Sequence, residues 1–229
     1  MSKIVITGGT KGIGRAILAK FWQEGWEVIT CARNEKDLSA LSKNYQSERI
    51  ETFPADLSKK EDRTAFCNIL KEKKIDILIN NTGTYIPGSI HEEDEGVLQT
   101  MIETNLYSAY DISRAVIPQL KSKKSGHIFT LCSTASIIPY INGGSYCISK
   151  FALLGMNKVL REEMKEHGVR VTSILPGVTK TASWDGVDLE EGQYMNPEDV
   201  AETIWSAYKL SKHSVIEEII MRPQLGDLD

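Results

Sequence analysis

The chain has 229 residues, 41% hydrophobic and 25% charged, a length and balance that suit one domain with a multi-layer core and leave little room for a second. Its formal net charge of -4 supplies no broad basic field, so nucleic acid and anionic membrane are not expected partners. No apolar run reaches the roughly 18 residues of a membrane span, and the four histidines and four cysteines lack metal-ligand or C-x-x-C spacing, so neither a metal centre nor a disulfide framework is expected.

From Met1 the sequence runs directly into an apolar β-branched stretch, K-I-V-I-T at Lys3–Thr7. With no signal-peptide pattern and unpaired cysteines, a cytoplasmic location is expected. Lys3–Thr7 reads as a strand buried on both faces. It leads into Gly8-Gly9-Thr10-Lys11-Gly12-Ile13-Gly14 and then a helical pattern over 15–24 through Ile17, Leu18, Phe21 and Trp22. Strand, glycine turn and helix form the context in which backbone N-H groups meet a phosphate, although the spacing is G-x-x-x-G-x-G rather than G-x-G-x-x-G. A second strand at 27–31 ends before Arg33. In a dinucleotide fold an acid at this point binds the 2'-hydroxyl of NAD and a base the 2'-phosphate of NADP. Here Arg33 and the loop's Lys11 offer two cations, which favours NADP(H).

Ile50–Pro54 reads as a third strand, and Ala55-Asp56-Leu57 caps a helix over 58–72. Asp56 can serve that helix terminus or meet the adenine amino group. A fourth buried strand, 75–80, ends in Asn80-Asn81-Thr82-Gly83, opposite the first glycine turn; this segment can tie strand ends together, touch the cofactor, or do both. A long helix follows over 93–121, with Asn105 midway and Pro118 near its end; Asn has below-average helix propensity, which marks Asn105 for a task. A fifth strand, 127–131, ends in Cys132-Ser133, and after a loop over 134–144 a helix begins near Ser145. The four-residue step from Tyr146 to Lys150 puts phenol and ammonium on one face of that helix, where a cation lowers the phenol pKa and makes an acid-base pair, with Ser133 to bond the reacting oxygen. A sixth strand at 169–175 closes in Pro176-Gly177-Val178-Thr179-Lys180-Thr181. The irregular segment 182–196, a helix over 197–210 and a last strand over 215–221 complete the chain. Seven strands interleaved with helices predict a Rossmann-like, doubly wound parallel sheet in a single three-layer α/β/α domain with right-handed crossovers.

These blocks, T-G-G-T-K-G-I-G at 7–14, Asp56, N-N-T-G at 80–83, Asn105, Ser133, Tyr146, Lys150 and P-G-V-T-K-T at 176–181, fall in the order and spacing of the short-chain dehydrogenase/reductase family, which the chain resembles along essentially its whole length. The resemblance implies a catalytic set of Asn105, Ser133, Tyr146 and Lys150. Tyr146 protonates the carbonyl oxygen, Ser133 positions it, Lys150 lowers the Tyr146 pKa and bonds the nicotinamide ribose, and Asn105 holds a water for proton resupply. It also implies a cofactor set of Gly8, Thr10, Lys11, Gly12, Ile13, Gly14, Arg33, Asp56, Leu57, Asn81, Thr82 and Gly83, with Tyr146 and Lys150, then Pro176, Gly177, Val178 and Thr181, the last bonding the carboxamide.

Within the family the chain is similar to bacterial sepiapterin reductase-like members, through S-G-H-I-F at 125–129, Y-C-I-S-K-F at 146–151, W-D-G-V-D at 184–188, N-P-E-D at 196–199 and the ending E-E-I-I-M-R-P at 217–223. That similarity implies NADPH-dependent reduction of a small ketone or diketone such as the side chain of sepiapterin or a related pterin, with Trp184, Asp185, Asp188 and Tyr140 as candidate substrate residues. The alternatives are a 3-oxoacyl-carrier-protein reductase, against which the acidic residues Asp185, Asp188, Glu190 and Glu191 argue, a general short-chain alcohol dehydrogenase, and a non-catalytic NADP-sensing module, against which the presence of Ser133, Tyr146 and Lys150 argues. The family commonly pairs the helices after Asn105 and Ser145 into dimers or tetramers.

Overall fold

The computed structural model describes residues 1–45, 48–181 and 190–226. Seven strands, β1 (Lys3–Thr7), β2 (Glu27–Ala32), β3 (Ile50–Pro54), β4 (Ile77–Asn80), β5 (Gly126–Leu131), β6 (Val169–Pro176) and β7 (Glu218–Met221), form one parallel sheet in the order β3-β2-β1-β4-β5-β6-β7. The order reverses between β1 and β4, so the carboxyl ends of these strands border a crevice, as the doubly wound reading requires. Every strand except the two at the edges is sandwiched, and alternate side chains divide between the layers. Ile4 and Ile6 of β1 belong to one core and Val5 to the other; Ile77 and Ile79 of β4 face the first and Leu78 the second.

The first layer holds α1 (Gly12–Gln23), α2 (Glu35–Tyr45) and α7 (Pro197–Tyr208). Its centre is aromatic: Phe21 is fully buried with Trp26, Trp205 and Tyr208 around it at centroid distances of 5.4, 5.2 and 6.2 Å. Edge-to-face packing of this kind adds to simple burial, and truncating such a ring costs about 3–5 kcal/mol. The opposite layer holds α3 (Lys60–Lys71), α5 (Ser108–Lys123) and α6 (Gly144–Met164). Buried Asn157 fixes α6 to two strands by accepting from Thr130 Oγ1 at 2.7 Å and donating to Ser173 Oγ at 2.6 Å.

The expected boundaries hold to within a few residues, with two differences that matter. The single helix expected over 93–121 is α4 (Val97–Met101), a π-helical turn (Ile102–Tyr107) and α5. Its π segment contains Asn105, and hydrogen-bond spacing of this type is common where a helix is bent to function. The second concerns Asp56, which does not cap α3. That helix starts at Lys60 with Lys59 at its N-cap, while Asp56 Oδ1 accepts from the backbone N-H and hydroxyl of Ser58 at 3.1 and 2.7 Å, closing a turn ahead of it.

Candidate active site

The turn between β1 and α1 is built by close backbone approach. Gly8 and Gly12 have φ of +71° and +53°, left-handed values that a side chain resists. At Gly14 a methyl group would collide with the carbonyl of Gly8 and the Asn81 amide. The turn is anchored from β2: Thr30 Oγ1 donates to Ile6 O at 2.7 Å and accepts from Gly9 N-H at 3.0 Å. Asn81 anchors it from β4, donating Nδ2 to the carbonyls of Thr7 and Gly8 at 2.8 and 3.1 Å. The 81–83 segment therefore does tie strand ends together. Lys11, the residue before α1, gives the helix no side-chain cap, and its first turn has no acidic residue. A helix of 12 residues thus presents unpaired N-H groups and the positive end of its dipole to the crevice, a fit for a pyrophosphate.

A cleft of about 510 Å³ opens above this turn. Its walls include Gly8, Thr10, Lys11, Gly12, Ile13 and Gly14 from the turn, Arg33 after β2, Asp56 and Leu57 after β3, Asn81, Thr82 and Gly83 after β4, and Thr181. Pro176, which ends β6, and Gly177 and Val178 after it are not among its walls; Gly177 N-H donates instead to Met221 O at 2.8 Å. The two cations expected at the adenosine end are both present, but neither stands alone. Lys11 Nζ lies 2.9 Å from Asp37 Oδ2, and Asp37 and Asn34 line the same corner. Burial pushes the Asp56 carboxyl up, but the Ser58 hydrogen bonds, with a smaller contribution from Arg33, hold it below its ordinary range. Asp37, in the first turn of α2, was not expected from the sequence, because its partner Lys11 belongs to a distant element.

Beyond Gly83 the cleft meets the second group of residues. A methyl group on Gly83 would sit 3.4 Å from Asn105 Oδ1 and 3.6 Å from Lys150 Nζ, so the glycine leaves an open path between cofactor cleft and catalytic helix. Ser133, at the end of β5, starts a 3-10 turn (Thr134–Ser136) in which its hydroxyl accepts from Ala135 N-H at 3.1 Å and Ser136 Oγ accepts from Ser133 N-H at 3.2 Å. This reciprocal cap fixes a hydroxyl that also bonds Tyr146. Lys150 is 6% exposed and donates to Leu131 O at 2.9 Å. Fully buried Asn105 accepts from Thr84 N-H at 2.7 Å and donates to Thr84 O at 3.0 Å and Ser149 Oγ at 2.9 Å. The π-helical turn, α6 and the loop after β4 are thereby joined at one amide.

The electrostatics differ from the sequence expectation in one respect. Desolvation holds the Tyr146 phenol above its ordinary value, and the Ser133 hydrogen bond only partly offsets this. The Lys150 ammonium, 5.8 Å from the Tyr146 ring centre, does not pull the phenol down, because it is directed to a backbone carbonyl and is itself pushed below its ordinary value by burial. The pair is thus held as neutral phenol beside an ammonium that its surroundings disfavour.

The loop from Thr84 to Gly96 closes over the start of α6. Glu93 receives both the backbone N-H (2.8 Å) and the hydroxyl of Ser145, one residue before Tyr146. It does what no cap within α6 does, and its charge suits a helix N-terminus. Gly88 N-H donates to Asn142 O at 2.9 Å, and Ser89 Oγ to Asn142 Oδ1 at 2.8 Å. Space for the carboxylate comes from two glycines: a methyl group at Gly144 would overlap Glu93 Oε1, and one at Gly88 would lie 2.7 Å from its Cγ. Nothing in the local sequence signals this cap, since its two halves lie 52 residues apart. The same loop brings Tyr85 edge-on to Tyr146, with ring centres 5.0 Å apart. Tyr140 hydrogen-bonds Tyr85, and burial and its phenol neighbours hold its hydroxyl well above the ordinary range. Of the expected substrate residues, Tyr140 stands near Tyr146; Trp184, Asp185 and Asp188 lie outside the described residues. No group of His, Cys, Asp and Glu suited to a metal occurs among the described residues, and no helix among them is long and apolar enough to cross a membrane.

Comparison with known proteins places this site among relatives. A family profile described as short chain dehydrogenase matches residues 2–192. The chain is 31% identical to a sepiapterin reductase of Chlorobaculum tepidum, over 98% of this chain and 97% of that one. Among solved structures, it superposes on the closed form of a serine dehydrogenase complexed with NADP+ with a TM-score of 0.86 at 28% identity, covering 96% and 94% of the two chains. An alcohol dehydrogenase from the archaeon Thermococcus sibiricus, complexed with 5-hydroxy-NADP, gives a TM-score of 0.88 at 25% identity, with 97% of each chain covered. With the family profile spanning residues 2–192 and a relative 31% identical over nearly the whole chain, the chain belongs to the short-chain dehydrogenase family of oxidoreductases.

Proposed function

We propose that this chain is an NADPH-dependent carbonyl reductase acting on a small ketone or diketone, with the side chain of sepiapterin or a related pterin as the leading substrate class. The observation that carries the reading is the meeting, across Gly83, of a phosphate-ready cleft with buried Lys150 and Asn105 and half-buried Ser133 and Tyr146. The uncapped α1 terminus, Lys11, Arg33 and Thr181 would hold the nucleotide, and NADPH, when bound, supplies the hydride. Tyr146 donates its phenolic proton to the substrate oxygen while Ser133 bonds the same oxygen. A phenol held protonated by burial suits the acid role, hence the direction of reduction. Lys150, facing Gly83, steadies the cofactor ribose and the charge left on Tyr146. With its side chain committed to Thr84 and Ser149, Asn105 offers its backbone carbonyl, in the π-helical turn, to a water that returns the proton.

Two observations support a flat substrate. Tyr85 and Tyr140, 41% and 46% exposed, form an aromatic wall beside Tyr146, suited to stacking a conjugated ring; and sequence identity to a sepiapterin reductase covers nearly the whole chain. The enzyme works in the cytoplasm as a homodimer or homotetramer. The apolar groups left on α6 (Ile148, Phe151, Val159), with Tyr107 and Tyr110 on the adjoining helical segment, support pairing of those helices, testable by light scattering. NADPH oxidation should be followed with sepiapterin, small diketones and an acetoacetyl thioester. Turnover of the first two well above the thioester is expected; preference for the thioester would overturn the substrate reading, and failure with every carbonyl would overturn the reductase.

A further inference from the structure

Among the described residues, the charged side chains lining the cofactor cleft are Lys11, Arg33, Asp37 and Asp56, two cations against two carboxylates. This is not the unopposed basic corner that a 2'-phosphate subsite leads one to expect. Lys11 spends its charge on Asp37, at 2.9 Å. Of the two partners Asp37 is the more enclosed, with 28% of its side chain exposed against 64% for Lys11, and its backbone is fixed by Asn34 Oδ1, which accepts from the N-H groups of Lys36 and Asp37 at 2.9 and 3.3 Å. The carboxylate is therefore the stationary member and the lysine the movable one.

We propose that Asp37 sets the cofactor preference of this enzyme: it occupies Lys11 and places a fixed negative charge beside the 2'-phosphate subsite, so that the chain discriminates NADPH from NADH less strongly than its two cations allow. The inference rests on the reading of the cleft as an NADP(H) site. A phosphate near Lys11 and Arg33 gains from both but is repelled by Asp37, and Lys11 must exchange one anion for another. The 2'-hydroxyl of NADH carries no charge and escapes this repulsion; toward Asp37 it acts only as a hydrogen-bond donor, which an amide oxygen can also accept. Because the corner is open to solvent, the effect is modest and salt-sensitive.

The test is equilibrium binding of NADPH and NADH to the full chain, by calorimetry or quenching of intrinsic fluorescence, for wild type, Asp37→Asn, Lys11→Ala and the double variant. Asp37→Asn keeps the shape and the Asn34 cap. It is expected to tighten NADPH by about three- to tenfold at low salt while moving NADH less than about twofold, with the gain shrinking as salt is added. In the Lys11→Ala background the gain is expected to fall, since part of it comes from releasing that lysine. Weaker NADPH binding in Asp37→Asn would mean that Asp37 pre-positions Lys11, and equal changes for the two nucleotides would mean that it acts on the fold; either result, or no change, overturns the proposal. The underlying cofactor reading fails separately, if wild type binds NADH as tightly as NADPH and Arg33→Asp weakens both alike.

Discussion

The two ends of the cleft are charged in opposite styles. At the adenosine end Lys11, Arg33, Asp37 and Asp56 face water and are balanced by one another. At the catalytic end Lys150 and Asn105 are buried, Tyr146 is half-buried, and each is held by neutral partners, a backbone carbonyl, a loop amide or a serine hydroxyl. Screening makes the first end a place where a charge changes affinity by small factors. Desolvation makes the second a place where one group governs protonation and rate. The contrast predicts that the same residue type, lysine, tunes affinity at position 11 and governs rate at position 150.

Substitutions that break this contrast should differ in size accordingly. The largest loss is expected for Tyr146→Phe, with kcat down about a thousandfold and NADPH affinity nearly unchanged. Retention of a tenth of the activity would remove the tyrosine from the proton-transfer role. Lys150→Met comes next, with kcat falling about a hundredfold while the protein becomes more stable, Tm rising by about 2–4 °C at neutral pH. The sign follows from burial: the folded state disfavours the ammonium, so wild type is penalised as long as the unfolded lysine is protonated. The stability gain should fade as pH climbs to the ordinary lysine value of 10.5, where the unfolded chain also releases its proton. A Tm difference that is flat across this range would mean that Lys150 is not desolvated as described.

Glu93→Ala should lower kcat about thirtyfold by loosening the first turn of α6, with little change in cofactor affinity. Glu93→Gln keeps an oxygen for Ser145 N-H and should recover most of the rate, so equal damage from both would show that the charge and not the position matters. The smallest effect belongs to the open end: Arg33→Asp should weaken NADPH about five- to tenfold and NADH hardly at all. Equal weakening of both would erase the distinction between the two ends.

The strands and most helices were legible because their periodicities are strong; β1, with Ile4 and Ile6 on one face and Val5 on the other, can only be a strand covered on both sides. The catalytic group was legible for a different reason: Tyr146 and Lys150 are one helical turn apart, so sequence spacing is spatial spacing. Where partners come from different elements the sequence is silent. Glu93 reaches Ser145 across 52 positions, and Lys11 meets Asp37 only because β2 returns the chain beside the glycine turn. The π-helical turn escaped for a third reason: low helix propensity marks Asn105, but its partners Thr84 and Ser149 lie outside 102–107, so nothing in the spacing there shows the shifted bonding. The phenol pKa was expected in the wrong direction because spacing gives the lysine's proximity but not its burial or its commitment to Leu131 O.

The cap on α6 also limits how this sequence can change over time. Residues 88, 93 and 144 share one volume, so a methyl group at either glycine evicts the carboxylate, and the acid holds its place only while both stay bare. Positions 88 and 93 must therefore drift together or not at all. Among related chains, an acid at the position of Glu93 should co-occur with glycine at the other two; a chain that has lost the acid is free to fill position 88 but not 144, where a methyl group would still meet the carbonyl of residue 88 at 2.5 Å, so glycine at position 88 is the heritable tag of chains that begin this helix in the same way.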